Sequence, residues 1–261
     1  MANYDSTSYY KTFLDEVIVR FDFLEFIPTD QMLTDKTEKN IRRYFPNKGI
    51  DQIMRFNAIN LVLGPNSNPS SNTQGEFRDG IKSEYSSSDQ KNKLSISNKF
   101  LVIDVANYKN FEEIQRWLQD IVLPFLLKNK LTVIRTGIRY INVFDPDKIR
   151  IRKNFFSPEI AATMNVKTFD ENCGISLTQS MHRTEYHVKG MRLFFRYGFH
   201  NPQYPGPLLN KSFALDYDCC TNETVEAAEG LLQYVKDAHD AIQMLFESSI
   251  TDALRKVMRH E

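Results

Sequence analysis

The sequence is poor in the residues and motifs that would point to a particular reaction. It has 10 glycines and three cysteines in 261 residues, and glycine lies well below its usual share of about 7%. A glycine-rich phosphate loop is therefore not expected, and no dinucleotide-binding, Walker A, nucleophile-elbow, zinc-protease or EF-hand pattern occurs. Cys173 and the adjacent Cys219 and Cys220 lack metal-ligand spacing, which predicts reduced thiols. These absences weigh against an enzyme, and neither a metal nor a cofactor is expected.

An excess of one charge and a long apolar run are also lacking. Lys plus Arg and Asp plus Glu number 33 each, so bulk charge gives no reason to expect nucleic acid or an anionic membrane. The longest apolar run, Ile121 to Leu127, contains Pro124 and is too short to cross a bilayer. The first residues show no signal-peptide pattern. We therefore expect a cytoplasmic protein with no membrane partner.

The sequence does contain an internal repeat. Arg20-Phe21-Asp22-Phe23 is matched by Arg139-Tyr140-Ile141-Asn142, and a proline, Pro28 or Pro146, follows each within a few residues. Leu101-Val102-Ile103-Asp104 is matched by Phe213-Ala214-Leu215-Asp216, and an amphipathic helix is predicted soon after each. Such a repeat indicates architecture rather than activity.

The internal repeat predicts an α+β fold of two pseudo-repeated units, each an antiparallel sheet of about four strands with a long helix packed on one face. The first unit spans 1–130 and includes a flexible, breaker-rich loop at 64–75. The second unit spans 131–261 and ends in a long C-terminal helix. The sequence leaves open whether the two units pack as separate lobes or form one continuous domain.

Hydrophobic periodicity places the individual elements. Pro124 is expected to kink or end the helix that contains it, and the last helix is expected to break near Ser248 before a capping box. The predicted strands are 16–26, 53–63, 81–88, 94–105, 131–144, 175–188, 191–199 and 211–218. The predicted helices are 34–44, 110–127, 158–164 and 223–260.

The sharpest candidate surface is an arginine-rich sheet face. A hairpin around Lys189-Gly190 would pair His187 with Arg192, Glu185 with Phe194 and Arg183 with Arg196, and alternation puts all six on one face. Arg135 and Arg139 would join them if the faces coincide. Guanidinium groups among aromatic rings suit phosphate or nucleic acid, whereas a solvated face of Arg–Glu pairs needs no ligand. The predicted core side of the hairpin is Tyr186, Val188, Leu193, Phe195 and Tyr197. The predicted binding residues are Arg135, Arg139, Arg183, Glu185, His187, Arg192 and Arg196.

Two other groups of residues invite a chemical interpretation. Asp216 and Asp218 share a face and are weak catalytic candidates, because paired carboxylates can hold Mg²⁺ for phosphoryl chemistry. Asp104 occupies the matching place in the first unit without a second carboxylate, which favours a structural role. His182 points away from Glu185, so no metal site is expected there. His239 is interpreted as a partly buried packing residue on the last helix.

Several short motifs stand out along the chain. They are the opening segment Tyr10 to Arg20, the strands Gly137 to Asn142 and Leu215 to Asp218, and a closing pattern of His239, Phe246-Glu247, Ile250-Thr251, Leu254 and Met258. These motifs resemble those of a sporadically distributed bacterial family of proteins of similar length. The resemblance spans nearly the whole chain and implies carriage on mobile or defence-associated gene cassettes, without implying an activity.

The sequence thus predicts a non-enzymatic binding or interaction protein. The expected partner is another protein, or a second copy of the chain. Two alternatives stay open: nucleic-acid or nucleotide binding on the arginine-rich face, and a metal-dependent phosphodiesterase or nuclease that uses Asp216 and Asp218.

Overall fold

The computed structural model describes residues 9–58, 76–166, 175–208, 211–221, 223–224 and 228–259. The predicted loop at 64–75, Cys173 and part of the predicted strand at 53–63 lie outside these residues. The strands are β1 (Leu14–Phe23), β2 (Asn47–Lys48), β3 (Gln52–Ala58), β4 (Glu76–Ser86), β5 (Asn92–Ser97), β6 (Phe100–Val105), β7 (Val133–Phe144), β8 (Ser180–Val188), β9 (Met191–Phe199) and β10 (Phe213–Thr221). The helices are α1 (Thr29–Met32), α2 (Asp35–Tyr44), α3 (Phe111–Trp117), α4 (Leu123–Asn129), α5 (Pro158–Thr163), α6 (Ala228–Ser249) and α7 (Asp252–Arg259).

The strands form one ten-stranded antiparallel sheet, in the order β2-β4-β5-β6-β1-β7-β10-β9-β8, with β3 also paired to β4. The predicted α+β class with antiparallel strands is confirmed. Two sheets of about four strands are not what the structure shows, because β1 pairs with β6 on one side and with β7 on the other. That central β1–β7 pairing joins the two halves of the chain into one sheet.

Strand alternation gives the sheet two different faces. On β1, Val17, Val19 and Phe21 are fully buried against the helices, whereas Arg20 and Asp22 keep part of their surface in water. Within the described parts of the chain, the opposite side of the sheet carries no helix. We call this side the open face; its residues at the centre and at the β8 end are Glu16, Ile18, Arg20, Asp22, Phe100, Val102, Asp104, Arg135, Arg139, Ile141, Arg183, Glu185, His187, Arg192, Phe194, Arg196, Asp216 and Asp218.

The helix around Pro124 does not end at the proline, so of the two predicted outcomes, an end or a kink, the end is wrong. A π-helical segment, Leu118–Val122, joins α3 to α4 and the helix runs on to Asn129. Proline has no N–H to give to the carbonyl four residues earlier, and the Asn40 side chain instead donates to that Asp120 carbonyl at 3.3 Å. A side chain from α2 thus satisfies the acceptor that Pro124 leaves open.

Other element boundaries also differ from the prediction. The predicted strand 94–105 is two strands, β5 and β6, because the chain turns at Asn98. The Asn98 side chain donates to Ile27 O at 2.6 Å and accepts from Ile81 N at 2.6 Å, so contacts distant in sequence hold this turn. The predicted break near Ser248 is confirmed, since α6 ends at Ser249 and α7 starts at Asp252. No helix in the described segments is long and apolar enough to span a membrane.

Candidate functional site

The β8–β9 hairpin has the register that the sequence predicts. Arg183 lies opposite Arg196, Glu185 opposite Phe194, and His187 opposite Arg192. Both turn residues are left-handed, with φ of 48° at Lys189 and 81° at Gly190, which matches the tight turn of a two-residue hairpin.

The predicted core side of this hairpin is only partly covered. Leu193 and Phe195 on β9 are buried, but Tyr186 on β8 is 40% exposed. The prediction of a buried Tyr186 is therefore wrong. The physical reason is that β8 is the edge strand, and the helices do not reach far enough to cover it.

A buried carboxylate organises the centre of the open face. Asp216 is only 8% exposed, and it accepts from Arg139 Nε and Nη2 at 2.8 Å each. Arg196 Nε lies 2.8 Å from the Asp216 Oδ2 atom without the alignment of a hydrogen bond. Its Nη2 atom donates to Asp218 at 3.3 Å. The hydrogen bonds that Arg139 donates to Asp216 raise the pKa of Arg139, so this guanidinium stays protonated at physiological pH.

The remaining predicted arginines also have carboxylate partners. Arg135 lies 3.6 Å from Asp22. Arg192 donates to Glu185 at 2.6 Å, and Arg183 lies 3.9 Å from the same carboxylate. That bond to Arg192 lowers the pKa of Glu185.

An aromatic ring interleaves with these arginines, as the sequence suggests. The guanidinium carbons of Arg183 and Arg192 lie 4.5 Å and 4.9 Å from the centre of the Phe194 ring, within the range of a cation–π contact. His187 stands beside them at the exposed end of the face, opposite Arg192.

One property is shared by the arginine–carboxylate pairs at the centre and at the β8 end of the open face. In each pair the guanidinium is more exposed than the carboxylate that it contacts, from 33% against 8% for Arg196 and Asp216 to 61% against 36% for Arg183 and Glu185. On β4, at the other end of the face, the Lys82–Glu84 pair has the opposite order, 23% against 33%. In the arginine-rich part of the face the guanidinium groups are therefore outermost, with their carboxylates beneath them.

The weak catalytic candidates do not form an open metal site. Both oxygens of Asp216 are in contact with arginine nitrogens, so a metal ion would have to displace guanidinium groups from the carboxylate. The described residues contain no group of three or more His, Cys, Asp or Glu side chains arranged to hold a metal. Cys219 is buried, and burial raises its pKa to about 12, which keeps the thiol protonated and unreactive.

A carboxyl pair on the open face was not anticipated from the sequence. Glu16 on β1 is close to Asp104 on the neighbouring β6. Burial, and then a hydrogen bond and repulsion from Asp104, raise the pKa of Glu16 to about 7. Glu16 is therefore protonated below neutral pH, since two adjacent carboxylates are not readily both ionised.

The other side of the same strands holds a cavity that the sequence gave no reason to expect. This α6 cavity has a volume of about 290 Å³ and lies between the sheet, α6, the beginning of α3 and the N-terminal segment. Its lining includes Tyr9, Thr12, Tyr108, Lys109, Phe111, Glu112, Tyr140, Asn142, Tyr217, His239, Gln243, Phe246, Glu247 and Met258.

His239 forms one wall of the α6 cavity. Its ring stacks on Phe111 with centroids 3.9 Å apart and planes 3° from parallel, and its Nδ1 atom is 2.7 Å from the Tyr140 hydroxyl. Burial lowers the pKa of His239 to about 4 and raises that of Tyr140. Both groups are therefore uncharged at neutral pH. The packing role predicted for His239 omits its position in the wall of a cavity.

The one carboxylate deep in this cavity is neutralised by its neighbours. Glu247 is 2% exposed, accepts from the Tyr9 hydroxyl at 2.6 Å and accepts from Arg255 Nε at 2.9 Å. Several residues of the motifs noted in the sequence, among them Tyr140, Asn142 and His239, line the cavity. These residues come from segments about 100 positions apart in the sequence, so the sequence does not show that they meet at one cavity.

Comparison with protein-family models and with curated proteins finds no match for this chain. The function of the protein is therefore inferred from the geometry of the open face and of the α6 cavity.

Proposed function

We propose that this protein is a non-enzymatic binding module whose open face docks a partner protein through an acidic surface. The observation that carries the proposal is the layering of charge, with guanidinium groups outermost and their carboxylates beneath. A paired guanidinium still has N–H groups directed outward, because it carries five donors and one carboxylate engages two of them. Carboxylates of a partner can accept these donors without breaking the existing pairs.

The pairing of arginines with carboxylates on the open face favours a protein over a nucleic acid as the partner. Nucleic-acid affinity depends on a net positive surface that releases counterions from phosphates. Here each predicted binding arginine contacts a carboxylate at 2.6–3.9 Å, and the chain carries no net charge. The long-range field is therefore weak, whereas short-range hydrogen bonding to a shaped protein surface is retained. Binding of nucleic acid or a nucleotide on this face remains the second candidate.

The third candidate, a metal-dependent phosphodiesterase or nuclease, has less support. The arginine contacts of Asp216 use the oxygens that a metal would need. Magnesium or manganese should consequently leave the melting temperature unchanged. A metal-dependent rise in melting temperature that disappears in Asp218→Asn would favour this candidate instead.

We also propose that the two halves of the chain are pseudo-repeats. Support comes from the strand order, which outward from the β1–β7 pair runs β6, β5, β4 in one half and β10, β9, β8 in the other. Val19 pairs directly with Ile138, the residue that matches it when Arg20 is aligned with Arg139. On that alignment Asp104, opposite Ile18, corresponds to Cys220, opposite Gly137, so Asp104 and Asp216 are not equivalent positions.

The cellular setting is part of the same proposal. A cytoplasmic protein encoded on a mobile or defence-associated cassette would meet a partner encoded beside it, and self-association is the other form that the interaction could take. Reduced Cys219 and Cys220, both buried, fit such a compartment.

Charge reversal on the open face tests the docking proposal. Proteins that co-purify with the wild type from its native cells are compared with those retained by an Arg183→Glu/Arg192→Glu variant. The matched control is the double reversal Arg42→Glu/Arg43→Glu, which changes the charge by the same amount at two exposed arginines of α2, on the helix-covered side. We expect a partner that wild type and control retain and the open-face variant loses. The partner, produced separately, should bind the wild type and the control and should not bind the Arg183→Glu/Arg192→Glu variant.

A second measurement separates protein from nucleic acid. Fluorescence anisotropy with single-stranded and duplex oligonucleotides at about 50 and 200 mM salt reports phosphate binding through its salt dependence. We expect no saturable binding at either salt. Binding that weakens steeply with salt and is lost in Arg139→Ala and Arg196→Ala would transfer the proposal to nucleic acid.

A further inference from the structure

The α6 cavity is independent of the docking surface, because it lies on the helix-covered side of the sheet. We propose that it binds an uncharged, planar heteroaromatic compound no larger than a nucleoside. The volume of about 290 Å³ lies near the lower end of the range for small-molecule sites, roughly 300–1,000 Å³. This size admits a one- or two-ring compound with a small substituent.

The walls of the cavity favour a flat ring. Phe111 and His239 form a stacked pair with planes 3° from parallel, and Tyr108 meets Tyr140 edge to face at 5.7 Å. Rings that are already fixed by mutual packing lose little entropy when a further ring stacks on them.

The hydrogen-bonding groups in the cavity are neutral. The Tyr140 hydroxyl is bonded to His239 Nδ1, which leaves the other ring nitrogen as a separate donor or acceptor. Asn142 is 6% exposed, and its Nδ2 atom reaches Leu215 O only at 3.5 Å, the outer limit of a hydrogen bond. A carboxamide so weakly engaged can bond to a heterocycle that presents both a donor and an acceptor.

The charges around the cavity do not favour an anion. Glu247 is already engaged by Tyr9 and Arg255. Lys109 is the one lysine or arginine among the described residues that line the cavity; it lies 3.9 Å from Glu113, and Glu112 lines the cavity beside it. A phosphate group on the ligand would therefore meet carboxylates without a free cation, and the compound should bind without one.

Titration of the 261-residue chain with four compounds tests this inference. Adenosine, uridine and nicotinamide are the uncharged probes, and AMP is the charged counterpart of adenosine. Binding is followed by isothermal calorimetry and by the NMR signals of the His239 ring. We expect at least one uncharged probe to bind with a Kd below about 1 mM and AMP to bind at least about tenfold more weakly than adenosine.

Two variants locate the binding. Asn142→Leu removes the carboxamide and should weaken binding at least about tenfold. Thr12→Trp adds bulk at an exposed residue that lines the cavity, so it tests blockage without disturbing the core. Tyr10→Trp is its control, since Tyr10 is 71% exposed and does not line the cavity. Thr12→Trp should reduce binding, and Tyr10→Trp should leave it unchanged.

The inference is overturned by any of three results. The first is that none of the uncharged probes binds at about 1 mM. The second is that AMP binds as tightly as adenosine. The third is that binding persists unchanged in both Asn142→Leu and Thr12→Trp. Loss of partner docking in the open-face variants has no bearing on these outcomes, because those variants change the opposite side of the sheet.

Discussion

The open face and the α6 cavity are formed by the same strands, but the open face carries exposed ion pairs, whereas His239 and Tyr140 in the cavity wall are uncharged. Arg139 and Tyr140 are neighbours on β7, and Asp216 and Tyr217 are neighbours on β10. Because successive side chains on a strand point to opposite faces, the arginine and aspartate reach the open face while the tyrosines reach the helix-covered side.

The difference follows from access to water. On the open face, each predicted binding arginine is paired with a carboxylate and keeps part of its hydration, and Glu16, which lies beside another carboxyl group, is the exception with its pKa raised to about 7. Under α6, desolvation disfavours the charged form, so His239 is neutral with a pKa of about 4. Exposed ion pairs give a surface that can exchange partners, whereas buried neutral groups give a site that selects a ligand by shape.

The largest effect is expected from breaking the ion pair between Glu247 and Arg255 on the helix-covered side of the sheet. Glu247→Gln keeps the side-chain volume but leaves Arg255, which is 18% exposed, without its buried partner. We expect a loss of about 3 kcal/mol in the free energy of unfolding, measured by urea denaturation. The control is Glu185→Gln on the open face, where the loss should stay below about 1 kcal/mol. Equal losses would contradict the contrast between the two regions.

A smaller effect is expected at the one buried carboxylate of the open face. Asp216→Asn leaves Arg139 and Arg196 without their shared partner, but both are about one-third exposed and can be hydrated instead. We expect a loss of about 2 kcal/mol, again from urea denaturation. Asp218→Asn is the control and should lose less than about 1 kcal/mol. A larger loss in the control would mean that Asp216 does not organise the network.

The pH dependence of stability sharpens the comparison, because the two regions act in opposite directions. His239 has a folded pKa of about 4, below its ordinary value of about 6.5, so its contribution is lost as pH falls from about 6.5 towards 4. Glu16 has a folded pKa of about 7, above its ordinary value, so its contribution is lost as pH rises from about 4.5 to 7. In the wild type these two dependences oppose each other over the shared window.

Single substitutions separate the two contributions. In Glu16→Gln only the His239 dependence remains, and the free energy of unfolding should fall by about 2 kcal/mol between pH 6.5 and pH 5. In His239→Gln it should instead fall as pH rises from 4.5 to 7. Urea denaturation at several pH values measures both slopes. Identical slopes in the two variants would show that neither group is perturbed as the geometry requires.

Local patterns in the sequence were enough to predict the hairpin of the open face. Alternation along β8 and β9 and the Lys189-Gly190 turn determine its register, and both signals lie within a short segment. Similarly, Thr34 accepts from Thr37 N as the N-cap of α2, at the position where that helix was predicted to start.

Features that depend on distant segments could not be predicted. The turn at Asn98 is held by Ile27 and Ile81. The polar Ser97-Asn98-Lys99 is a local signal for a turn, but it does not identify these distant partners. The union of the two halves into one sheet rests on the pairing of β1 with β7, more than a hundred residues apart. The cavity wall likewise joins Phe111 to His239. Periodicity identifies the face on which a residue lies and not its partner from another element.

The smallest expected effect concerns a single hydroxyl. Tyr140→Phe removes the bond to His239 Nδ1 and leaves the volume of the ring in place, so we expect a loss of about 1 kcal/mol in the free energy of unfolding. Tyr186→Phe is the matched control, since Tyr186 is 40% exposed on the edge strand and water replaces any bond of its hydroxyl. Its stability should change by less than about 0.5 kcal/mol. If the two variants were equally stable, the Tyr140–His239 bond would contribute nothing to the covered side, and the stacking on Phe111 alone would have to fix the His239 ring.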